Sequence, residues 1–331
     1  GERVTIIENN KIGCGATTKA AGMVTPASEA FLHESGLTDI FKAACAYYPS
    51  FANDLQAQGA PDFDFHQNGS LMCAQDQDGR EELSRLYEFQ KQLGLNSEII
   101  EPQQALELEP NISHQITYAL YAKNEAHLDS QKLIDGLKQV LMQKGATVLE
   151  NTELKSVEIN DHQIKKASLV KGNESLNIDC HRVFVTTGVD SCQVLSEYIR
   201  WPMRGVKGQV LTIKAPSALL SRPVRVYHRY PIYLVPRKDG RIVIGATSEE
   251  LSDKTLTAGG VMDLIYASWR ILPAIYDYEL LETQVGLRPT TPDHKPIMGP
   301  TALKNAFTLG GLYRHGIMAC LLYTSPSPRD P

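Results

Sequence analysis

Several kinds of chemistry are missing from this sequence. Nowhere in its 331 residues does an apolar run approach the roughly 20 residues that a membrane-crossing helix needs. No HExxH, GxSxG or P-loop pattern occurs, which removes the zinc-protease, hydrolase-elbow and nucleoside-triphosphate readings. The six cysteines, Cys14, Cys45, Cys73, Cys180, Cys192 and Cys320, include no CxxC pair and have no histidine at metal spacing. No metal site is expected, and the thiols read as reduced, mostly buried and cytoplasmic. An excess of basic charge is missing too: 33 Lys and Arg stand against 38 Asp and Glu, a net charge of -5. The basic residues are scattered, so neither nucleic acid nor an anionic membrane is attracted. The N-terminus shows no secretory pattern, and a soluble protein is expected.

What remains is 42% hydrophobic and 21% charged, an ordinary globular composition long enough for two domains. The chain is organised around residues 285–318. Arg288 closes an apolar strand, and Arg314 follows Gly310, Gly311, Leu312 and Tyr313 where a second strand runs into a turn. A guanidinium presents a planar fork of donors that matches a carboxylate two bonds at a time, so both arginines suit one anionic substrate. The glycines beside Arg314 let backbone approach a flat ligand. On the residues alone the plain alternative stays open, with Arg288 capping a surface strand and Arg314 pairing with an acid.

At the other end, GERVTIIE is an apolar strand with an acid, Glu8, at its carboxyl end. In a dinucleotide-binding unit such an acid hydrogen-bonds a ribose hydroxyl, about 20 residues beyond a glycine-rich phosphate loop. No GxGxxG precedes Glu8. The next stretch, 13–23, is small and hydroxyl-rich, and Thr17, Thr18 and the free amides of a helix start suit phosphate or ribityl oxygens. A plain flexible loop is the other reading.

Between these ends the pattern predicts a mostly helical 26–58, a strand over 63–74 turning at Asn68 and Gly69, and a helix over 78–93. Residues 98–110 read as solvated acidic surface with a short helix. Then come a strand at 118–122, a helix through Leu133, Leu137, Val140 and Leu141 ended by Gly145, and a strand at 147–149. Short strands are read at 154–159, 164–170 and 176–178, and 183–188 is a continuous buried strand ending in Gly188. Strands at 206–213, 224–230, 233–236 and 241–246 build a mixed sheet, with a hairpin at Lys238, Asp239 and Gly240. A helix covers 259–272.

The run Gly286-Leu287-Arg288-Pro289-x-Thr-Pro-Asp, closed by Pro296-Ile-Met-Gly299 and followed by Gly311-x-Tyr313-Arg314-His315-Gly316-Ile317, resembles the signature of the glycine oxidase branch of the flavin-dependent D-amino-acid oxidase family. The likeness extends from Arg3 to about Met318. It implies an α/β fold with an FAD-binding Rossmann-like domain (1–58, 128–200 and 284–319) and an α+β substrate domain built on a mixed sheet (59–127 and 201–283). By resemblance Arg288 binds the substrate carboxylate, Tyr233 places its hydroxyl beside it, and Arg314 faces the substrate. The same resemblance gives FAD contacts to Glu8, Asn9, Ala16, Thr17, Thr18, Ala21, Gly22 and Met23, to Leu154 by the adenine, and to Gly188. It gives further contacts to Leu312, Tyr313, His315, Gly316, Ile317 and Met318 around the flavin. Related sarcosine oxidases attach FAD through a cysteine near the start of the Arg288 motif; none stands there, so FAD is expected to be non-covalent.

The implied activity is oxidative deamination of glycine or a small D- or N-methyl amino acid by direct hydride transfer to the flavin. Oxo acid, ammonia and hydrogen peroxide are the products, and oxygen is the electron acceptor. No side-chain base is required, so no catalytic residue is assigned, and His315 is set aside in that role. The family also has a link to thiamine biosynthesis. A dehydrogenase using another acceptor and a non-catalytic flavin-binding protein remain as alternatives, and self-association stays open. The family's first strand and phosphate loop are expected to be absent, and ACLLYTSPSPRDP, with three prolines after Thr324, replaces the expected final helix with a tail over 320–331.

Overall fold

The computed structural model describes residues 3–30, 36–190, 193–216, 218–227 and 231–323. Strand β1 (Thr5–Ile7) leads through a 3-10 turn at Thr17–Lys19 to the short strand β2 (Met23–Val24). Helix α1 (Thr38–Ala57) buries Phe41, Ala44, Cys45, Tyr48, Ala52 and Leu55, a stripe at steps of three and four. Next come β3 (Ser70–Ala74), α2 (Gln77–Gln92), β4 (Glu98–Ile100), α3 (Pro102–Leu108), β5 (Tyr118–Ala122) and β6 (Ala126–His127). Helix α4 (Ser130–Gln143) is capped by Asp129, whose carboxylate accepts from the amides of Gln131 and Lys132. The chain continues through β7 (Thr147–Leu149), β8 (Thr152–Asn160), β9 (Gln163–Lys171), β10 (Glu174–Asp179) and β11 (Val183–Val185). The remainder is β12 (Arg204–Lys214), β13 (Val224–Tyr227), β14 (Ile232–Pro236), β15 (Arg241–Gly245), α5 (Ala258–Ile271), β16 (Glu279–Thr290), β17 (Ile297–Pro300), β18 (Ala306–Gly310) and α6 (Gly316–Ala319).

The dominant element is an eight-stranded sheet in the order β16-β12-β15-β14-β13-β3-β5-β4. It is mixed, because β13 runs parallel to β3 while its pair with β14 is antiparallel. One face packs Leu211, Ile213, Leu234 and Ile244 against Leu264, Ala267 and Ile271 of α5. The other face holds the site described below. The region expected to bind the nucleotide consists of the parallel pair β1–β7, the parallel pair β11–β18 extended by β17, and the meander β8–β9–β10. Helices α1 and α4 and the C-terminal turn share one core, within which the Tyr48 hydroxyl donates to the Ile317 carbonyl at 3.1 Å.

Several expectations are corrected. The helix read over 26–58 starts only at Thr38; the amides of Ala27 and Ser28 donate to the Glu125 carboxylate at 2.6 and 2.9 Å, which holds the chain in a buried turn. Residues 31–35 lie outside the described residues. The strand read over 63–74 is regular only from Ser70, because Gly69 turns at φ +79° and His66 makes a single bridge to His127. Glu109 is not solvated: it is buried against Arg222 at 3.0 Å, and burial raises its carboxyl above the usual range. The strand ending in Gly188 is short and one-sided, with Phe184 66% exposed.

Of the five described cysteines only Cys45 and Cys73 are buried, and none is in a disulfide. The expected end of the 224–230 strand falls partly outside the described residues. The tail read from 320 begins as a 3-10 turn, Cys320–Tyr323, with Leu321 in the core. Residues 324–331 lie outside the described residues. The boundary drawn at 283/284 falls inside β16, so Arg288 belongs to the large sheet.

Candidate active site

Strand register assembles the site. Arg288 faces Val206 across β16–β12, and on the same face one pair along Gly208 faces Gly286. Gly245 faces Val210 on one side and Tyr233 on the other, and Tyr233 faces Arg225. One face of the sheet therefore carries Arg288, Gly208, Gly245, Tyr233 and Arg225. The two glycines make the floor. A Cβ on Gly208 would lie 2.5 Å from the Arg288 guanidinium nitrogens, and one on Gly245 would lie 2.7 Å from the Tyr233 hydroxyl. Without those carbons the two side chains lie flat and converge, with the Arg288 guanidinium close enough for its charge to act on the Tyr233 hydroxyl. Burial pushes that hydroxyl above its ordinary range, which the nearby Arg288 opposes. Arg288 Nη1 donates to the carbonyls of Thr247 (3.1 Å) and Lys207 (3.3 Å), and among the described residues no carboxylate pairs with it. A guanidinium aimed by two carbonyls with no acid beside it is prepared for an external anion.

The loop bearing Ala21, Gly22 and Met23 lies over this face, where Ala21 and Met23 pack with Tyr233, Val235 and Val243. Gly22 sits at φ +75° with its missing Cβ 2.0 Å from the Leu128 carbonyl oxygen, so only glycine lets β2 approach β6 this closely. The buried Arg237 donates to the Ala21 carbonyl at 2.8 Å and lies 3.6 Å from Asp129, which Arg241 also meets at 2.7 Å. Glu125 secures the other end of the loop through Ala27, Ser28 and the hydroxyls of Ser28 and Ser70.

On the nucleotide side, Glu8 follows β1, and its amide donates to Leu149 O at 2.9 Å. Its carboxylate accepts from the Asn10 amide at 2.9 Å, and Asn9 is exposed beside it. Ala16 opens the 3-10 turn of Thr17 and Thr18; Thr18 Oγ1 donates to Gly13 O at 2.6 Å, and the turn packs against both α4 and β16. Leu154 is half-buried at a bulge in β8. Gly188, at φ +66°, has open space where its Cβ would be and accepts from Trp201 Nε1 at 3.1 Å.

The turn after β18 brings Tyr313 to β16. Its ring stacks on His294 at 4.8 Å between centroids, its hydroxyl is 3.5 Å from Ser248 Oγ, and the Arg314 guanidinium lies 4.9 Å from the ring centre. Leu312 and Gly316 are half-buried, and Ile317 and Met318 are buried against α1. His315 is buried with its ring 4.0 Å from Phe41, a packing position.

The family model for FAD dependent oxidoreductases matches residues 1–323. The chain belongs to that family. Among relatives of this FAD-dependent oxidoreductase, the glycine oxidase of Geobacillus kaustophilus is 28% identical over 321 residues, 96% of this chain and 83% of its own. A putative thiamine biosynthesis oxidoreductase ThiO of Rhizobium etli is 30% identical over 322 residues, 96% of this chain and 86% of its own. The crystal structure of a glycine oxidase from Bacillus cereus superposes with a TM-score of 0.86 at 26% identity, covering 96% of this chain and 85% of that one.

FAD is the cofactor of this family, and the residues fit it: Gly15 and Gly188 leave open space where a side chain would stand, while the positive-φ Gly13 and Gly22 let the loop between them pack on Ile134 and Leu128. Among the described residues no group of acids, histidines and cysteines could hold a metal, and no helix is long and apolar enough to cross a membrane. Arg225, Glu29, Arg237, Glu125, Ser248 and His294 were missed in the sequence. Arg225 alternates with Tyr227 in a strand next to that of Tyr233, which was a usable signal; for the others the partner is too distant along the chain to be read.

Proposed function

We propose that this FAD-dependent oxidoreductase oxidises the Cα–N bond of glycine or another small amino acid, D- or N-methylated, and passes the electrons to oxygen. The net reaction converts amino acid, oxygen and water into oxo acid, hydrogen peroxide and ammonia, or methylamine when the substrate is N-methylated. The observation that carries the reading is the convergence of Arg288 and Tyr233 over the cleared floor of Gly208 and Gly245, with no acid on Arg288 among the described residues. Names of relatives, a glycine oxidase and a putative thiamine biosynthesis oxidoreductase, support the substrate class and a place in thiamine biosynthesis.

In this reading Arg288 takes the substrate carboxylate by a charge-assisted pair and Tyr233 donates its hydroxyl to the same group, which fixes the Cα–H direction. Tyr233 stays protonated because burial holds its hydroxyl up. Arg314, beside Tyr313, adds positive potential at the substrate end. Glu8 would hold a ribose, Thr17 and Thr18 the phosphate or ribityl oxygens, Leu154 and Gly188 the adenosine end, and residues 312–318 the ring. Bound FAD supplies two-electron oxidation, so the side chains position and exclude water and none acts as base. The FAD is held without a covalent bond, by segments 1–58, 128–200 and the part of 284–319 beyond β16, and the substrate by the large sheet of 59–127 and 201–283 together with Arg288 of β16. Free thiols among the described residues suit a reducing compartment such as the cytoplasm.

A peroxidase-coupled assay of the FAD-loaded protein across glycine, sarcosine and D-alanine tests this. Peroxide in proportion to amine consumed is expected. Reduction of an added dye without peroxide would favour a dehydrogenase, and neither signal would refute amino-acid oxidation.

A further inference from the structure

A second arginine stands on the substrate face of the sheet. Arg225 lies one strand beyond Tyr233 and directly across from it, a spacing of about 4.8 Å between strands. It is 7% exposed and its guanidinium is paired with a buried acid, Glu29, at 3.4 Å. That pair is loose. Arg225 Nε has no hydrogen-bond partner among the described residues, and Glu29 Oε2 takes only a 3.3 Å bond from Thr25. Glu29 sits on the loop that carries Met23 and is held by Glu125, whose carboxylate binds the amides of Ala27 and Ser28.

Charge bookkeeping on this face is simple. Among the described residues of the sheet face Arg288 is unopposed and Arg225 is cancelled, so this face has one positive charge to offer a carboxylate, beside the potential that Arg314 adds from the turn after β18. Both charges of the Arg225 pair act on the Tyr233 hydroxyl, which places them within electrostatic reach of the substrate group.

Resting on the amino-acid reading above, we propose that the Glu29–Arg225 pair is a selectivity element: it keeps the region beyond Tyr233 neutral, so the site accepts monocarboxylates and rejects ligands with a second carboxylate. A second anion placed near Arg225 meets Glu29 at close range in a water-poor site, and like charges there are costly. Removing the Glu29 charge turns the same arginine into a receptor for that second anion, because its Nε and the nitrogen facing Glu29 are then both open to it.

The test measures acetate and malonate binding to the FAD-loaded full chain, read from the flavin spectrum and from the unfolding midpoint. Wild type should favour acetate. Glu29→Gln should move the acetate-to-malonate affinity ratio toward malonate by on the order of tenfold or more, about 1.4 kcal/mol. Arg225→Met, with Glu29 retained, should move the ratio the other way. Equal affinities in wild type, or an unchanged ratio in both variants, would overturn the proposal. If Glu29→Gln does not load FAD, Arg225→Met decides; if neither loads, the pair serves folding and the proposal fails. Binding is scored without turnover, so ratios that move as stated in a protein that oxidises no amino acid would count against the amino-acid reading and leave the anion selectivity standing.

Discussion

In the proposed reading Arg288 serves recognition, whereas Glu125 serves support. Lysine in place of Arg288 keeps the charge and loses the fork, so Arg288→Lys should recover only part of the substrate affinity that Arg288→Ala loses, on the order of 2 to 5 kcal/mol. Titrating both variants with glycine and comparing KM values checks this; a lysine variant equal to wild type would mean that only the local potential matters. Glu125 bears on stability. Burial pushes its carboxyl from 4.5 up to about 7, even though four donors favour the ionised form. The folded protein therefore binds the proton more tightly than the unfolded chain. That contribution, about 3 kcal/mol, is complete below pH 4.5 and is lost as pH rises through about 7. Urea midpoints between pH 5 and 8 should fall for wild type and fall less for Glu125→Gln. Arg288 was legible because strand end, proline and glycines surround it within one motif. Glu125 and Glu29 were not, since their partners lie 98 and 196 residues away and only the folded sheet brings them together.

At the scale of elements, the glycine positions of β12 and β15 matter as much as the charged ones. In Gly208→Ala the new Cβ would meet the guanidinium of Arg288, the far end of a flexible side chain, so the strand should survive while the fork is displaced. The expected outcome is a folded, FAD-binding protein whose KM for glycine rises by about tenfold to a hundredfold. Circular dichroism together with steady-state kinetics separates this from a folding defect. The strands of the large sheet were readable from short β-branched runs between turn residues, as in β14 and β15 around the Lys238–Gly240 hairpin. Residues 26–30 were misread as helix because Pro-Ala-Ser-Glu-Ala has the composition of a helix start; the carboxylate that fixes it as a turn comes from Glu125, far along the chain.

For the whole molecule, small parallel strand pairs, proposed to bind the nucleotide, adjoin one broad sheet, proposed to bind the substrate. The α/β class was legible from strand and helix alternation and from the motif at 285–318. The register that aligns Arg288, Tyr233 and Arg225 was not, because pairing between strands leaves no trace in either strand alone. A cofactor spread over segments from Glu8 to Met318 should tie the molecule together, so saturating FAD should raise the unfolding midpoint. By mass action the gain is about 2.7 kcal/mol at a hundred times the dissociation constant, read by differential scanning fluorimetry.

The most direct test of the central claim is anaerobic mixing of the FAD-loaded protein with glycine and, separately, with methylamine, which keeps the amine and lacks the carboxylate, while flavin absorbance is followed. Glycine should bleach the flavin and methylamine should not, with the glycine rate at low concentration collapsing in Arg288→Ala while that variant stays yellow and folded. Equal bleaching by methylamine, or an Arg288→Ala variant that reacts with glycine as wild type does, would contradict carboxylate recognition by Arg288 and with it the proposed site.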